Sequence, residues 1–151
     1  MVTLMRTEPT SPHDRTTASN GVRQKLVRVA ALMHVALGLG FGIGSAWTLF
    51  HLARSGELPM TPFGFRSLGG GPFEQLDRPW FSALAVCLTG VCALDVLAGA
   101  WLWQGRRRGG RLALVTSAPA LALSVGFALP FLLIGVPVRA ALGVAGWKSL
   151  H

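Results

Sequence analysis

The chain has 151 residues, 51% of them hydrophobic, with a formal net charge of +8 and a mean hydropathy of +0.49. A soluble domain of this length rarely needs so much apolar material, so the composition places the chain in the membrane class. Twelve of the 14 basic residues are arginine. They fall between long apolar runs, where positive charge orients a membrane protein, and this argues against nucleic acid as a partner. The arginine bias, the abundant Ala, Gly and Leu and the absence of Tyr point to a GC-rich bacterial genome.

In chain order, residues 1–24 are polar and carry no apolar core of the signal-peptide kind, so they read as a disordered N-terminal tail. A membrane domain then covers 25–151. Its first span is 25–52, long enough to cross a bilayer with some tilt. The segment 53–78, rich in Pro, Gly and both charge signs, reads as a long outer loop held against the membrane or the helix ends by Phe63, Phe65 and Phe73. A second span follows at 79–104, with Pro79 suited to a helix start and Trp101 and Trp103 suited to an interface. "GRRRGGR" (Gly105–Arg111) is a tight basic turn. The third span is 112–129 and the fourth 131–149, the latter starting either near Phe131 or at Pro137. Basic residues cluster at the tail, at the 106–111 turn and at Lys148, which puts both termini in the cytoplasm. The expected fold is all-α: an integral four-transmembrane-helix bundle in the bacterial cytoplasmic (inner) membrane.

"GLGFGIGS" (Gly38–Ser45) is no nucleotide loop, because no strand precedes it and the register is wrong. Gly38/Gly42 and Gly40/Gly44 form two overlapping G-x-x-x-G pairs, which let helix backbones approach closely in lipid. "SLGGGPF" (Ser67–Phe73) reads as a plain turn or as a flexible lid over a substrate. The thiols Cys87 and Cys92 point apart on a helix and do not bridge. His34 and His51 are too far apart to share a haem or metal, and no metal pair with ligand spacing occurs.

Ionisable residues within a span are expensive in lipid and face the protein interior with a partner. His34, Asp95 and Arg139 are the three candidates. Counted from the cytoplasmic end of each span, all three lie about 12–14 Å deep. Each is followed four residues later by a glycine (Gly38, Gly99 and Gly143), which puts each on a packing face. They form a buried polar cluster with two readings: a structural ion pair that sets helix register, or a site for a small polar ligand or a proton relay. Arg139 also has an outward reading, snorkelling to the interface, if the last helix begins at Pro137.

The spacing Gly90–Asp95–Gly99, followed by Arg106–Arg108 and Gly109 or Gly110, resembles the DoxX-like group of small bacterial membrane proteins over helices two and three. That family more often has Glu where this chain has Asp95, and Arg54 stands nearest to its basic residue at the end of helix one. The resemblance implies a four-helix membrane fold and a link to quinol- or thiosulfate-related oxidation or to redox stress complexes. No nucleophile, metal set or cofactor motif makes an enzyme of the chain. The expected role is a non-catalytic membrane subunit or small-ligand-binding protein, alone, as a homodimer or in a larger membrane redox complex. The alternatives are a proton-coupled transporter using Asp95 and a quinone-reactive membrane oxidoreductase component with His34 and Asp95 handling protons. No cofactor is expected; quinone is the compatible ligand.

Overall fold

Long apolar runs punctuated by Pro, Gly and charge become four helices: α1 (Pro12–Ser55), α2 (Arg78–Trp103), α3 (Arg107–Gly126) and α4 (Pro130–Ala145). The computed structural model describes residues 12–61, 64, 66–147 and 150, with side chains from Gly21 onward. No strand occurs among them; the irregular segment between α1 and α2 holds one isolated bridge, Met60 with Arg66, and a one-turn 3-10 helix, Pro72–Gln75. Proline stands in the first turn of both α2 and α4, where its missing N–H costs no hydrogen bond. Gly105, at φ +73°, ends α2 in the left-handed conformation, and the Arg106 N–H donates to the Trp101 carbonyl at 3.0 Å.

Several boundaries differ from the expected ones. Helix α1 begins at Pro12, so residues 12–24 are helical rather than a structureless tail; residues 1–11 lie outside the described ones. Helix α3 takes in Arg107–Arg111, so the basic "turn" is confined to Gly105 and Arg106. Helix α4 starts at Pro130, and Pro137 lies inside it. Two helical segments, Gly21–Ser55 of α1 and all of α2, are long and apolar enough to cross a membrane, whereas α4 is apolar but shorter.

Each helix packs on the next, and α4 closes back on α1. The interior has three tiers. An apolar cluster around Leu52, Phe81, Leu88, Phe127 and Val136 fills one end, and a smaller one around Val27, Ala31, Leu102 and Leu150 fills the other. His34, Asp95, Thr116 and Arg139, all buried, lie between them. Large apolar side chains also cover the outside, and several polar ones join the apolar clusters inside. Ile43 and Trp47 of α1 are 67% and 62% exposed and Phe131 of α4 is 76% exposed, while Ser45, Thr48, Ser117 and Ser124 are buried.

Counted from that polar tier at the helical rise, α3 and α4 end about 14 Å away on the loop side, whereas α2 continues for about 25 Å and α1 for about 31 Å. The loop fills the step this leaves. Its Gly71 lies so close to the end of α3 that a side chain there would strike the Gly126 carbonyl. Its Phe73 meets Phe127 edge to face at 5.2 Å, and Phe127 in turn meets Phe81 of α2 at 5.5 Å. Phe73 therefore holds the loop down as expected; Phe63 and Phe65 lie outside the described residues.

Candidate functional site

Asp95 is inward because its neighbours one turn away on either side, Cys92 and Ala98, are both core residues. The same holds on α1, where His34 follows buried Ala31 by three residues, and on α4, where Arg139 follows buried Val136 by three. The three residues singled out in the sequence therefore meet. Arg139 donates from Nη2 to Asp95 Oδ2 at 2.6 Å. His34 Nδ1 lies 3.4 Å from Asp95 Oδ1, within ion-pair reach but without the alignment of a hydrogen bond. Arg139 is 0% exposed, so it does not snorkel. With α4 starting at Pro130, it lies well inside the helix.

A fourth member comes from α3. The Thr116 hydroxyl donates to Asp95 Oδ1 at 2.8 Å and also lies 3.2 Å from the Ala113 carbonyl of its own helix. Each of the four helices thus contributes one side chain to a cluster centred on a single carboxylate. Thr116 carried no signal in the sequence, because a hydroxyl inside an apolar helix ordinarily bonds back to its own backbone. Ser117 does so, to Ala113 at 2.6 Å. Two further tertiary contacts were equally silent: Ser45 with Thr89 at 2.8 Å, joining α1 to α2, and Thr48 with Ser67 at 2.7 Å, joining α1 to the loop.

Three polar atoms of the cluster lack a hydrogen-bond partner: His34 Nδ1, Arg139 Nε and Arg139 Nη1. A guanidinium has five N–H donors in a planar fork, and one carboxylate oxygen accepts from only one of them here. Two nitrogens of a buried cation are thereby left with capacity for an oxygen acceptor, such as a water, a carbonyl or a small anion. No group of three His, Cys, Asp or Glu side chains able to hold a metal occurs among the described residues. Cys87 and Cys92 are free thiols, the first exposed and the second buried.

The glycines divide. A side chain at Gly38 would come within 2.8 Å of the Cys92 carbonyl and of Val96, one at Gly42 within 3.2 Å of the Cys92 Cβ, and one at Gly99 within 2.9 Å of the Ala31 carbonyl. These three bring α1 and α2 backbone to backbone. Gly40, Gly44 and Gly143 were also expected to pack, but a Cβ on any of them would meet nothing within 4 Å, so they do not. Gly40 and Gly44 are two residues out of phase with Gly38 and Gly42, about 200° around the helix, and so face away from α2. On α4 the close approach is made by Gly135, where a Cβ would sit 2.7 Å from Leu37, one turn before Arg139 rather than after it.

The chain matches no protein-family model, no curated protein and no solved structure.

Proposed function

We propose that the chain is a multi-pass protein of the bacterial cytoplasmic membrane, with four spans and both termini cytoplasmic, acting as a non-catalytic, small-ligand-binding subunit. The apolar outer surface and the polar groups inside support the membrane placement: a helix surface bearing Ile43, Trp47 and Phe131 suits lipid, and buried hydroxyls and charges suit helix–helix contact in lipid. Helix α4, at 16 residues, is short for a bilayer, and local thinning accommodates such a mismatch.

The observation that carries the functional reading is the cluster itself. Asp95 is held by partners from three other helices, while Arg139 keeps two unpartnered nitrogens in the interior. A carboxylate engaged on both oxygens is a fixed counter-charge, which weighs against proton-coupled transport through it. A cation with spare donors is a recognition element for a small acceptor-bearing ligand. The spacing that resembles DoxX-like proteins, Gly90–Asp95–Gly99, extends the proposal to a subunit of a membrane redox complex.

The test is purification from native membranes in mild detergent, with mass spectrometry of co-purifying proteins and small molecules. The wild type should retain a stoichiometric ligand or partner. The double variant Asp95→Leu/Arg139→Leu, which removes the charges together, should accumulate in membranes but lose the ligand. Proton-driven uptake by wild-type vesicles that vanishes in Asp95→Asn would establish transport instead.

A further inference from the structure

A second site lies apart from the Asp95 cluster, between the outward face of α1, the 66–70 segment of the loop and the turn joining α3 to α4. The three elements line an open-sided recess of about 660 Å³. Gly40 and Gly44 of α1, Leu68 of the loop, and Phe127, Ala128 and Phe131 at the α3–α4 turn line it. Along α1, Gly40 and Gly44 stand about 9 and 15 Å beyond His34. The two glycine-bearing motifs that the cluster leaves unused, "GLGFGIGS" and "SLGGGPF", thus face each other across one space.

Three observations point to a ligand rather than to incidental space. The volume falls in the range of small-molecule sites, which are concave and mostly apolar. Leu68 (φ 59°) holds a positive φ without being a glycine and lines this recess, whereas the positive φ of Ala128 (50°) belongs to the cap of α3, where the Leu129 N–H donates to the Ser124 carbonyl at 2.8 Å. Backbone held in that region costs energy and concentrates at ligand clamps. Gly40 and Gly44 make no close helix contact, yet their missing side chains leave the space beside them open.

The wall chemistry selects the ligand. Ser45 is already bonded to Thr89 and to the Gly42 carbonyl, Ser67 to Thr48, and Arg66 to Glu74 at 3.3 Å. With Ser45 and Ser67 so engaged and the exposed Arg66 turned to Glu74, most of the surface offered is apolar: Phe41, Leu68, Phe127, Leu129 and Phe131. We propose that this recess binds a compact, neutral, apolar small molecule that arrives by way of the bilayer. Walls on three sides suit a compact molecule better than an extended acyl chain. The proposal rests on the membrane reading for the route of arrival only.

The test uses two photoreactive probes on the full chain in lipid nanodiscs: 3-trifluoromethyl-3-phenyldiazirine, and a phospholipid carrying a diazirine in its acyl chain. Adducts are mapped by peptide mass spectrometry. The aryl probe should label Phe41, Leu68 or Phe131, and a 100-fold excess of unlabelled trifluoromethylbenzene should remove most of that signal. Gly44→Leu fills the recess from a position where a Cβ meets no atom within 4 Å, so it should cut this labelling at least tenfold while the protein stays folded. Gly90→Leu, at an equally open glycine on α2, should leave it unchanged. Labelling that is not saturable, or is insensitive to Gly44→Leu, overturns the proposal. So does recess labelling by the phospholipid probe, which would assign the space to annular lipid. Membrane fractionation of the same chain after an alkaline wash reports on the membrane reading independently.

Discussion

At the scale of single residues, the Asp95–Arg139 pair decides most. Removing one member of a buried pair leaves an uncompensated charge and typically costs about 3–5 kcal/mol, whereas replacing both by apolar residues is often neutral. Asp95→Asn should therefore lower thermal stability in detergent sharply, the more so because Arg139 already has two unpartnered nitrogens. Asp95→Leu/Arg139→Leu should recover much of the loss. A double variant no more stable than the single one would show that the pair does not hold the helices together. The glycines give a second comparison at this scale. Gly38→Leu forces a side chain into the Cys92 carbonyl and Val96, and overpacking of that kind costs about 1–3 kcal/mol or more. Gly40→Leu meets nothing at its Cβ and should stay within about 0.5 kcal/mol of the wild type. Equal melting temperatures for the two would contradict the close approach of α1 to α2. Asp95 and Arg139 were legible in the sequence because a charge in an apolar run has few places to go. The phase of the glycines was not, since overlapping G-x-x-x-G pairs lie on two faces and nothing local says which one meets a neighbour.

At the scale of elements, the loop between α1 and α2 behaves as a structural part and not as slack. It fills the step above the short α3–α4 hairpin, and Arg78 Nη2 ties the start of α2 to the Leu52 carbonyl of α1 at 2.6 Å. Its tight turn is closed by Glu74, whose carboxylate accepts the Gly70 N–H at 2.6 Å and faces Arg66 at 3.3 Å. The Gly70 N–H, with Arg66 beside it, lowers the Glu74 pKa from its ordinary value. A group lowered in the folded state stabilises the fold above its unfolded pKa, and that contribution disappears as pH falls through the folded value. The turn should therefore be tight at neutral pH and loosen only below the ordinary glutamate value of about 4.3. A nitroxide label at Gln75→Cys should show low mobility at pH 7 and rising mobility on acidification below that value. With Glu74→Gln added, it should be mobile at pH 7 already. Mobility independent of pH in the parent would remove Glu74 from its role.

At the scale of the whole molecule, the proposed topology places the α2–α3 turn in the cytoplasm and the loop outside. Gly109 is a poor place to test this, because it packs against Trp101 and Leu102. Arg108 and Gln75 are exposed. In a background with Cys87 and Cys92 replaced by Ala, Gln75→Cys should react with a membrane-impermeant maleimide on intact spheroplasts. Arg108→Cys should react only after permeabilisation. The reverse pattern would invert the orientation, and labelling of both on intact cells would deny a membrane between them.

Composition and apolar run length alone determined the all-helical character, the approximate helix positions and the shared depth of His34, Asp95 and Arg139. These follow from the regular rise of a helix and from the cost of an unpaired charge in an apolar setting. The tertiary structure decided what depends on rotation and on partners without a local signature. It brought Thr116 to the carboxylate and turned Gly38 and Gly42 inward while Gly40 and Gly44 faced out. It also set Gly71 of the loop against Gly126 of α3. Each of these depends on which face of one helix meets another, and residue periodicity leaves that open when both faces of a helix are apolar, as on α1, where Ile43 and Trp47 face outward.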